Sequence, residues 1–224
     1  MLSQHRFYGL SSSQQQRFQL KVIVGFLALN IAMGLVFYLT SLLFVIPFFF
    51  AFSLSVIAPF VDVPSGVKNG TLHYYSPLLI GEKIKGKKLT LHSGSLFDYY
   101  FVFSKTQSVQ ERKKQVMIMA LDGLIQLIND YQARQGTGIT IKVTSYILNR
   151  RTARKIGLSP ITPDALQWFL LYFNFLNLTC SLSLLNRQLT WPNVRKTTSY
   201  EGCLESLIAK KDDLLKLRNR LSES

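Results

Sequence analysis

Three histidines and two cysteines bound the chemistry open to this chain. His73 and His92 fall on two runs that read as neighbouring strands, so their imidazoles could face one another. No second carboxylate or thiol stands at ligand spacing to complete a metal site with them. His5 lies apart, in the N-terminal tail. Cys180 and Cys203 are separated by 22 residues, which matches no zinc or redox motif, and two reduced thiols are expected. His92-Ser93-Gly94-Ser95 followed by Asp98 brings a nucleophile, a base and an acid close in sequence. The strand–turn–helix setting of a nucleophile elbow is missing, however, and adjacent residues of a strand point in opposite directions. A turn of small residues is the expected reading. There is no GxGxxG and no phosphate loop ending in GK[ST]. No catalytic, cofactor-binding or metal-binding residue is therefore assigned, no cofactor is expected, and a non-enzymatic role is the first expectation.

Basic residues are the stronger signal. Lys83, Lys85, Lys87 and Lys88 crowd into one short turn-prone stretch, and Arg150, Arg151, Arg154 and Lys155 form a second group at a helix start. Only Arg6, Arg17 and Lys21 precede residue 62, so 23 Lys or Arg and all 12 Asp or Glu lie from Asp62 onward, a net +11. Such a surplus suits an anionic partner. The two clusters are candidate sites for anionic lipid, since each basic side chain near a charged bilayer contributes ~1 kcal/mol. A solvated face that only follows membrane topology is the competing reading. Nucleic acid is not expected, because no exposed aromatics are interleaved with the cations.

A membrane setting follows from what surrounds these charges. Val22 to Val61 is 40 residues without one Asp, Glu, Lys, Arg or His. A membrane helix takes ~20 residues, so two spans are expected, turning at Thr40-Ser41. A signal peptide would be shorter, a single tilted span would leave half the run in water, and a buried soluble hairpin would not be apolar all round. Asn30, Gly34 and Ser53 are expected between the helices, and Pro47 to loosen the second. Basic flanks on both sides place both termini in the cytoplasm, with a bacterial inner membrane as the expected setting.

The domain organisation is thus a tail over 1–21, a transmembrane hairpin over 22–61 and a basic cytoplasmic domain over 62–224. The fold class is membrane-anchored α+β, with a small mixed or antiparallel sheet and about three helices. Val63–Gly66 and Asn69-Gly70 mark the exit from the membrane. Thr71–Ile80 and Lys88–His92 read as a strand hairpin, and Leu96–Phe103, rich in aromatics, as a third strand. Ser108 with Glu111 forms a capping box, after which Met117, Leu121, Leu124, Ile128 and Tyr131 make one apolar helix face ending at Gly136. Thr140–Leu148 reads as a strand beside Leu96–Phe103. Thr162-Pro163-Asp164 starts a helix of 22 uncharged residues up to Arg187. Its Asn, Gln, Ser and Thr content favours a core helix lying against the bilayer over a third span. Tyr200 to Leu221 reads as a last helix, packed on the domain or on a second copy of the chain.

The order Leu96–Phe103, helix from Ser108, strand Thr140–Leu148 and then Asn149 through Leu158 resembles the second half of the GNAT N-acetyltransferases. That resemblance implies coenzyme A held at the head of the helix, and an acyltransferase-like enzyme is the alternative function. The glycine-rich pyrophosphate loop of that family is replaced here by Gln107 to Arg112. The leading expectation remains a membrane protein whose basic domain binds anionic lipid, a protein partner or itself.

Overall fold

A computed structural model describes residues 4–133, 138–145, 148, 150–162, 165–194 and 197–223. Helix α1, Ser12–Leu39, begins at a capping box, in which the Ser11 amide donates to Gln14 Oε1 at 2.9 Å and the Gln14 amide to Ser11 Oγ at 3.4 Å. It stops at Thr40, and Ser41 takes a left-handed conformation with φ of 57°. A 3-10 turn, Leu43–Val45, leads into α2, Ile46–Ile57, and α3, Pro59–Lys68. The chain doubles back: Phe37 meets Phe49, Phe26 meets Phe50, and Ser53 Oγ donates to Asn30 Oδ1 at 3.2 Å. By length and composition α1 is apolar enough to cross a membrane, and none of its residues is buried. Leu43–Ile57 and Pro59–Lys68 meet the same measure only as one unit, bent by 48°.

Three local expectations are corrected here. Pro47 does not loosen the second helix but sits in the first turn of α2, where a missing N–H costs nothing. Val63–Gly66 is helical, held by burial of Phe60 and Val63, and the bend lies upstream at Ala58-Pro59. Gly34 makes no close approach, since a Cβ there would meet nothing within 4 Å.

The rest of the chain is built on a six-stranded mixed sheet of order β1-β2-β3-β4-β6-β5. Strands β1, Leu72–Ser76, and β2, Leu79–Glu82, form a tight hairpin, so the expected single strand Thr71–Ile80 is two. Pro77, which offers no N–H to a ladder, stands between them. Strand β3, Lys88–Ser93, pairs antiparallel with β2, as expected, across the basic turn. It also pairs parallel with β4, Thr140–Ser145, and β4 pairs antiparallel with β6, Thr198–Cys203. The short β5, Ser159–Ile161, closes the far edge.

Leu96–Phe103 is not a strand. Leu96–Val102 is helix α4, so β4 finds β3 and β6 as neighbours instead. The reason is local: Ser95 and Asp98 form a capping box, and Phe97–Phe101 and Tyr99–Phe103 meet edge to face at the i,i+4 spacing of a helix. Their strand preference is overridden. Helix α5, Val109–Ala133, follows as expected, but Met117 is 44 % exposed while Val116, Met119 and Leu127 are buried beside Leu121, Ile128 and Tyr131. The helix approaches the sheet closely at Gly123, where a Cβ would lie 2.7 Å from Leu79 Cβ. The expected stop at Gly136 lies outside the described residues, as do Pro163 and Asp164.

The uncharged segment is two helices, α7, Ala165–Phe173, and α8, Phe175–Asn186, after the short α6, Arg150–Lys155. Helix α8 buries Asn177, Thr179, Ser181 and Leu185, and Asn177 Nδ2 donates to the Ser55 carbonyl at 3.1 Å. It is a core helix. Helix α7 exposes Phe169, Tyr172 and Phe173. The expected last helix is β6 followed by α9, Leu204–Ile208, and α10, Lys211–Glu223. Thr198 to Cys203 is drawn into the sheet by ladders on both its sides.

Among the described residues three buried clusters result, and two of them join the sheet to the last helices and to the tail. One lies between the sheet and α5, α9 and α10, around Leu89, Leu91, Ile141, Leu127, Leu204 and Leu214. The other joins Phe7 of the tail and Phe60 and Val63 of α3 to Tyr74, Phe97 and Phe101.

Candidate functional site

The Ser, His and Asp side chains do come together, though not as the sequence suggests. His92 points elsewhere; its Nε2 donates to Glu82 Oε1 at 2.8 Å. His73 and His92 are held apart by β2, which lies between their strands, and His73 faces Asp130 at 3.8 Å. The histidine that reaches Asp98 is His5, from the tail. Asp98 Oδ1 accepts from His5 Nε2 at 3.2 Å and from the Tyr74 hydroxyl. Asp98 Oδ2 accepts from the Ser95 amide at 2.6 Å and the Ser95 hydroxyl at 2.8 Å. A nucleophilic triad needs the imidazole between hydroxyl and carboxylate; here the carboxylate stands between the other two. His5 and Asp98 are also wholly buried. Burial first, and then the Asp98 charge, raises the Tyr74 phenol above its ordinary range, so it stays a donor. Burial likewise pushes Tyr8 up to about 12. This cluster fastens the tail, and Arg6 completes the clasp by donating to the carbonyls of Tyr100, Phe101 and Phe103 at 2.7–2.8 Å, at the C-terminal end of α4.

The head of α5 is engaged too. The Ser108 amide donates to Glu111 Oε2 at 2.6 Å and the Glu111 amide to Ser108 Oγ at 3.3 Å. Hydrogen bonds from the Ser108 backbone and side chain hold the Glu111 carboxyl below its usual range. Arg112 is buried, donates to the carbonyls of Leu184 and Ser104, and lies over the Phe103 ring at 5.3 Å. It staples helices together and is turned away from any ligand at that helix start.

Among the described residues three depressions stand out. On the polar face of the sheet a cleft of about 630 Å³ runs beneath α7 and α8, with Lys88, Lys142, His92 and Thr144 on its floor and Trp168 and Asn174 on its roof. On the other side, α6 and α10 enclose a groove of about 510 Å³ lined by Arg154, Lys155, Lys210, Asp213, Lys216 and Arg220. Five cations face a single acid, and Lys210 takes that acid at 3.9 Å. Among the described residues no carboxylate pairs with Arg154, Lys155, Lys216 or Arg220. The third depression is apolar, about 190 Å³ between α5 and the sheet, and it shares Thr152, Ile156 and Leu217 with the basic groove.

The two sequence clusters are thus divided between depressions. Lys83, Lys85 and Lys87 lie exposed in the β2–β3 turn, and Lys88 reaches the polar cleft. Arg150 and Arg151 lie exposed on the first turn of α6, while Arg154 and Lys155 face the groove. Lys210, Lys216 and Arg220 join them only through folding. Lys216 and Arg220 stand i,i+4 on α10 and Lys210 just precedes it, which was the available signal, but nothing in the sequence placed α6 opposite them. Among the described residues no group of three or more His, Cys, Asp or Glu is placed to hold a metal. No protein-family model matches this chain, and no curated protein or solved structure is detectably similar to it.

Proposed function

We propose that this chain is anchored in a membrane by the α1/α2–α3 hairpin and binds anionic lipid headgroups in the groove between α6 and α10. The groove carries the reading: Arg154, Lys155, Lys210, Lys216 and Arg220 converge on one concave surface with one carboxylate among them. Like charges repel, and such a cluster is stabilised by an anionic ligand. The anchoring rests on exposed apolar side chains along α1 and α2, from Leu20 to Leu54, which need lipid or protein to cover them. Both ends of the hairpin carry basic residues, which puts the tail and the domain on the cytoplasmic face after two crossings. The tail's attachment to α4 and β1 agrees with an even number of spans. The exposed aromatic side of α7, next to α2 through α8, suits the interfacial zone where Trp and Tyr collect. Against the acyltransferase-like alternative stands the head of α5, whose amides already serve Ser108 and Glu111.

The test uses the full chain, because tail and hairpin share a core with the domain. Reconstituted in phosphatidylcholine nanodiscs, it should capture vesicles of equal phosphatidylglycerol and phosphatidylcholine, less so as salt rises. At ~1 kcal/mol per basic residue, the triple change Lys155→Glu, Lys216→Glu and Arg220→Glu should weaken capture on the order of 100-fold. Equal changes at Lys83, Lys85 and Lys87 should cost less. If the groove variant captures vesicles as well as the native chain, the groove is not a lipid site.

A further inference from the structure

The basic groove and the apolar cavity between α5 and the sheet share a wall, formed by Thr152, Ile156 and Leu217. Leu91, Leu121, Ile141, Val143, Leu158 and Leu207, all buried, line the cavity's depth, and the half-exposed Met117 lies at its outer side. About 190 Å³ exceeds the ~150 Å³ at which a dry apolar cavity already takes a benzene-sized guest. Water would find few partners in such a lining, so an apolar guest is the one that fits. A charged rim and an apolar pocket joined by three residues ask for one kind of molecule.

We infer that the site takes a single-chain anionic amphiphile, its headgroup on Arg154, Lys155, Lys216 and Arg220 and its alkyl chain in the cavity between α5 and the sheet. The inference rests on the headgroup reading above and adds the chain. A two-chain lipid would have to leave one tail outside, since a cavity of about 190 Å³ adjoins the groove and holds no more than one chain. The amphiphile has two sources, a free fatty acid or a single-chain phospholipid drawn from the bilayer, and both present the same chemistry to the site.

The full chain in phosphatidylcholine nanodiscs, titrated with saturated fatty acids of increasing length and corrected for uptake by empty nanodiscs, tests this directly. Binding should be saturable and one to one. Affinity should rise about fourfold per methylene until the cavity is full, and then level off. Alcohols of equal length should bind at least tenfold more weakly. Ala120→Phe fills the cavity and Met117→Trp caps it from a position that already tolerates exposure; each should cost long-chain acids tenfold or more while leaving vesicle capture unchanged. A lysophospholipid binding more tightly than the matched fatty acid assigns the source to the bilayer; the reverse order assigns it to free acid, and either supports the site. Uptake no greater than that of empty nanodiscs, or chain-length dependence untouched in both cavity variants, overturns the inference. Vesicle capture that still depends on the groove would leave the headgroup reading standing alone.

Discussion

His5 Nε2 donates to Asp98 Oδ1 at 3.2 Å, binding the N-terminal tail to a helix 93 residues further along the chain. The bond lies in a cluster that also holds Tyr74 and Ser95, with Phe7 packed edge to face against Phe97 and Phe101. A segment that precedes the apolar hairpin is therefore part of the same folded body as the chain that follows it.

The first prediction concerns that clasp. Asp98→Ala leaves the donors of His5, Tyr74 and Ser95 without their shared acceptor in a water-free site. Breaking a buried charged network of this kind costs about 3–5 kcal/mol. Thermal unfolding of the reconstituted chain should drop on the order of 10 °C. His5→Ala, which removes one donor of four, should cost about 1–3 kcal/mol. A melting temperature unchanged by Asp98→Ala would show that the tail is not fastened there.

Close packing at Gly123 gives a second. A methyl group there would sit 2.7 Å from Leu79 Cβ and 2.9 Å from Ser76 Oγ. Gly123→Ala would normally favour a helix, by up to ~1 kcal/mol. Here overpacking against the β1–β2 hairpin should outweigh that and destabilise by about 1–3 kcal/mol. A stabilised Gly123→Ala variant would mean that α5 stands further from the sheet.

Acid should act through two carboxylates. Backbone and side-chain hydrogen bonds from Ser108 lower Glu111, and a hydrogen bond from the Gly138 amide lowers Glu205. Each folded value is below the unfolded one, so each contributes stability fully present above the ordinary Glu value of ~4.3 and lost as pH falls through the lowered value. Replacing both with Gln should flatten the acid limb of the stability profile below that pH. Unfolding by denaturant near neutrality and again well into the acid range would measure it; parallel limbs in the native and variant chains would contradict the assignment.

The chain has two tryptophans, and both serve as probes. Trp168 lies on α7, and Trp191, 61 % exposed, stacks on Phe175 at 5.9 Å. If α7 lies in the interfacial zone, brominated lipid in the nanodisc should quench this fluorescence, and Phe169→Ser with Tyr172→Ser should reduce the quenching. Emission indifferent to bromination would place α7 away from the bilayer.

Acetyl-CoA should not bind. The amides at the head of α5 that a pyrophosphate would use are taken by the Ser108–Glu111 box, and Glu111 adds a negative charge. Calorimetry with the full chain should show no saturable binding at submillimolar ligand. Saturable binding abolished by Lys113→Ala would restore the acyltransferase reading.

What the sequence determined by itself is what local rules govern. The uncharged run and its Thr40-Ser41 turn, the start of α5 at Ser108, and strands β3 and β4 follow from composition, capping and alternation, which act within a few residues. Leu96–Phe103 was legible too, but the signal lay in Ser95 and Asp98 and not in the aromatics, because a cap fixes backbone geometry where a β preference only biases it. Tertiary structure alone decided the rest. No spacing links His5 to Asp98, or Arg154 to Lys216. The pairing of β4 with β3 is a parallel crossover whose register depends on how α4 and α5 pack over the sheet. The groove and its cavity arise where α6 and α10 lie beside the sheet and α5, and residues far apart in the chain become neighbours there only because burying Leu127, Ile141, Leu204 and Leu214 in one core leaves them no other place to be.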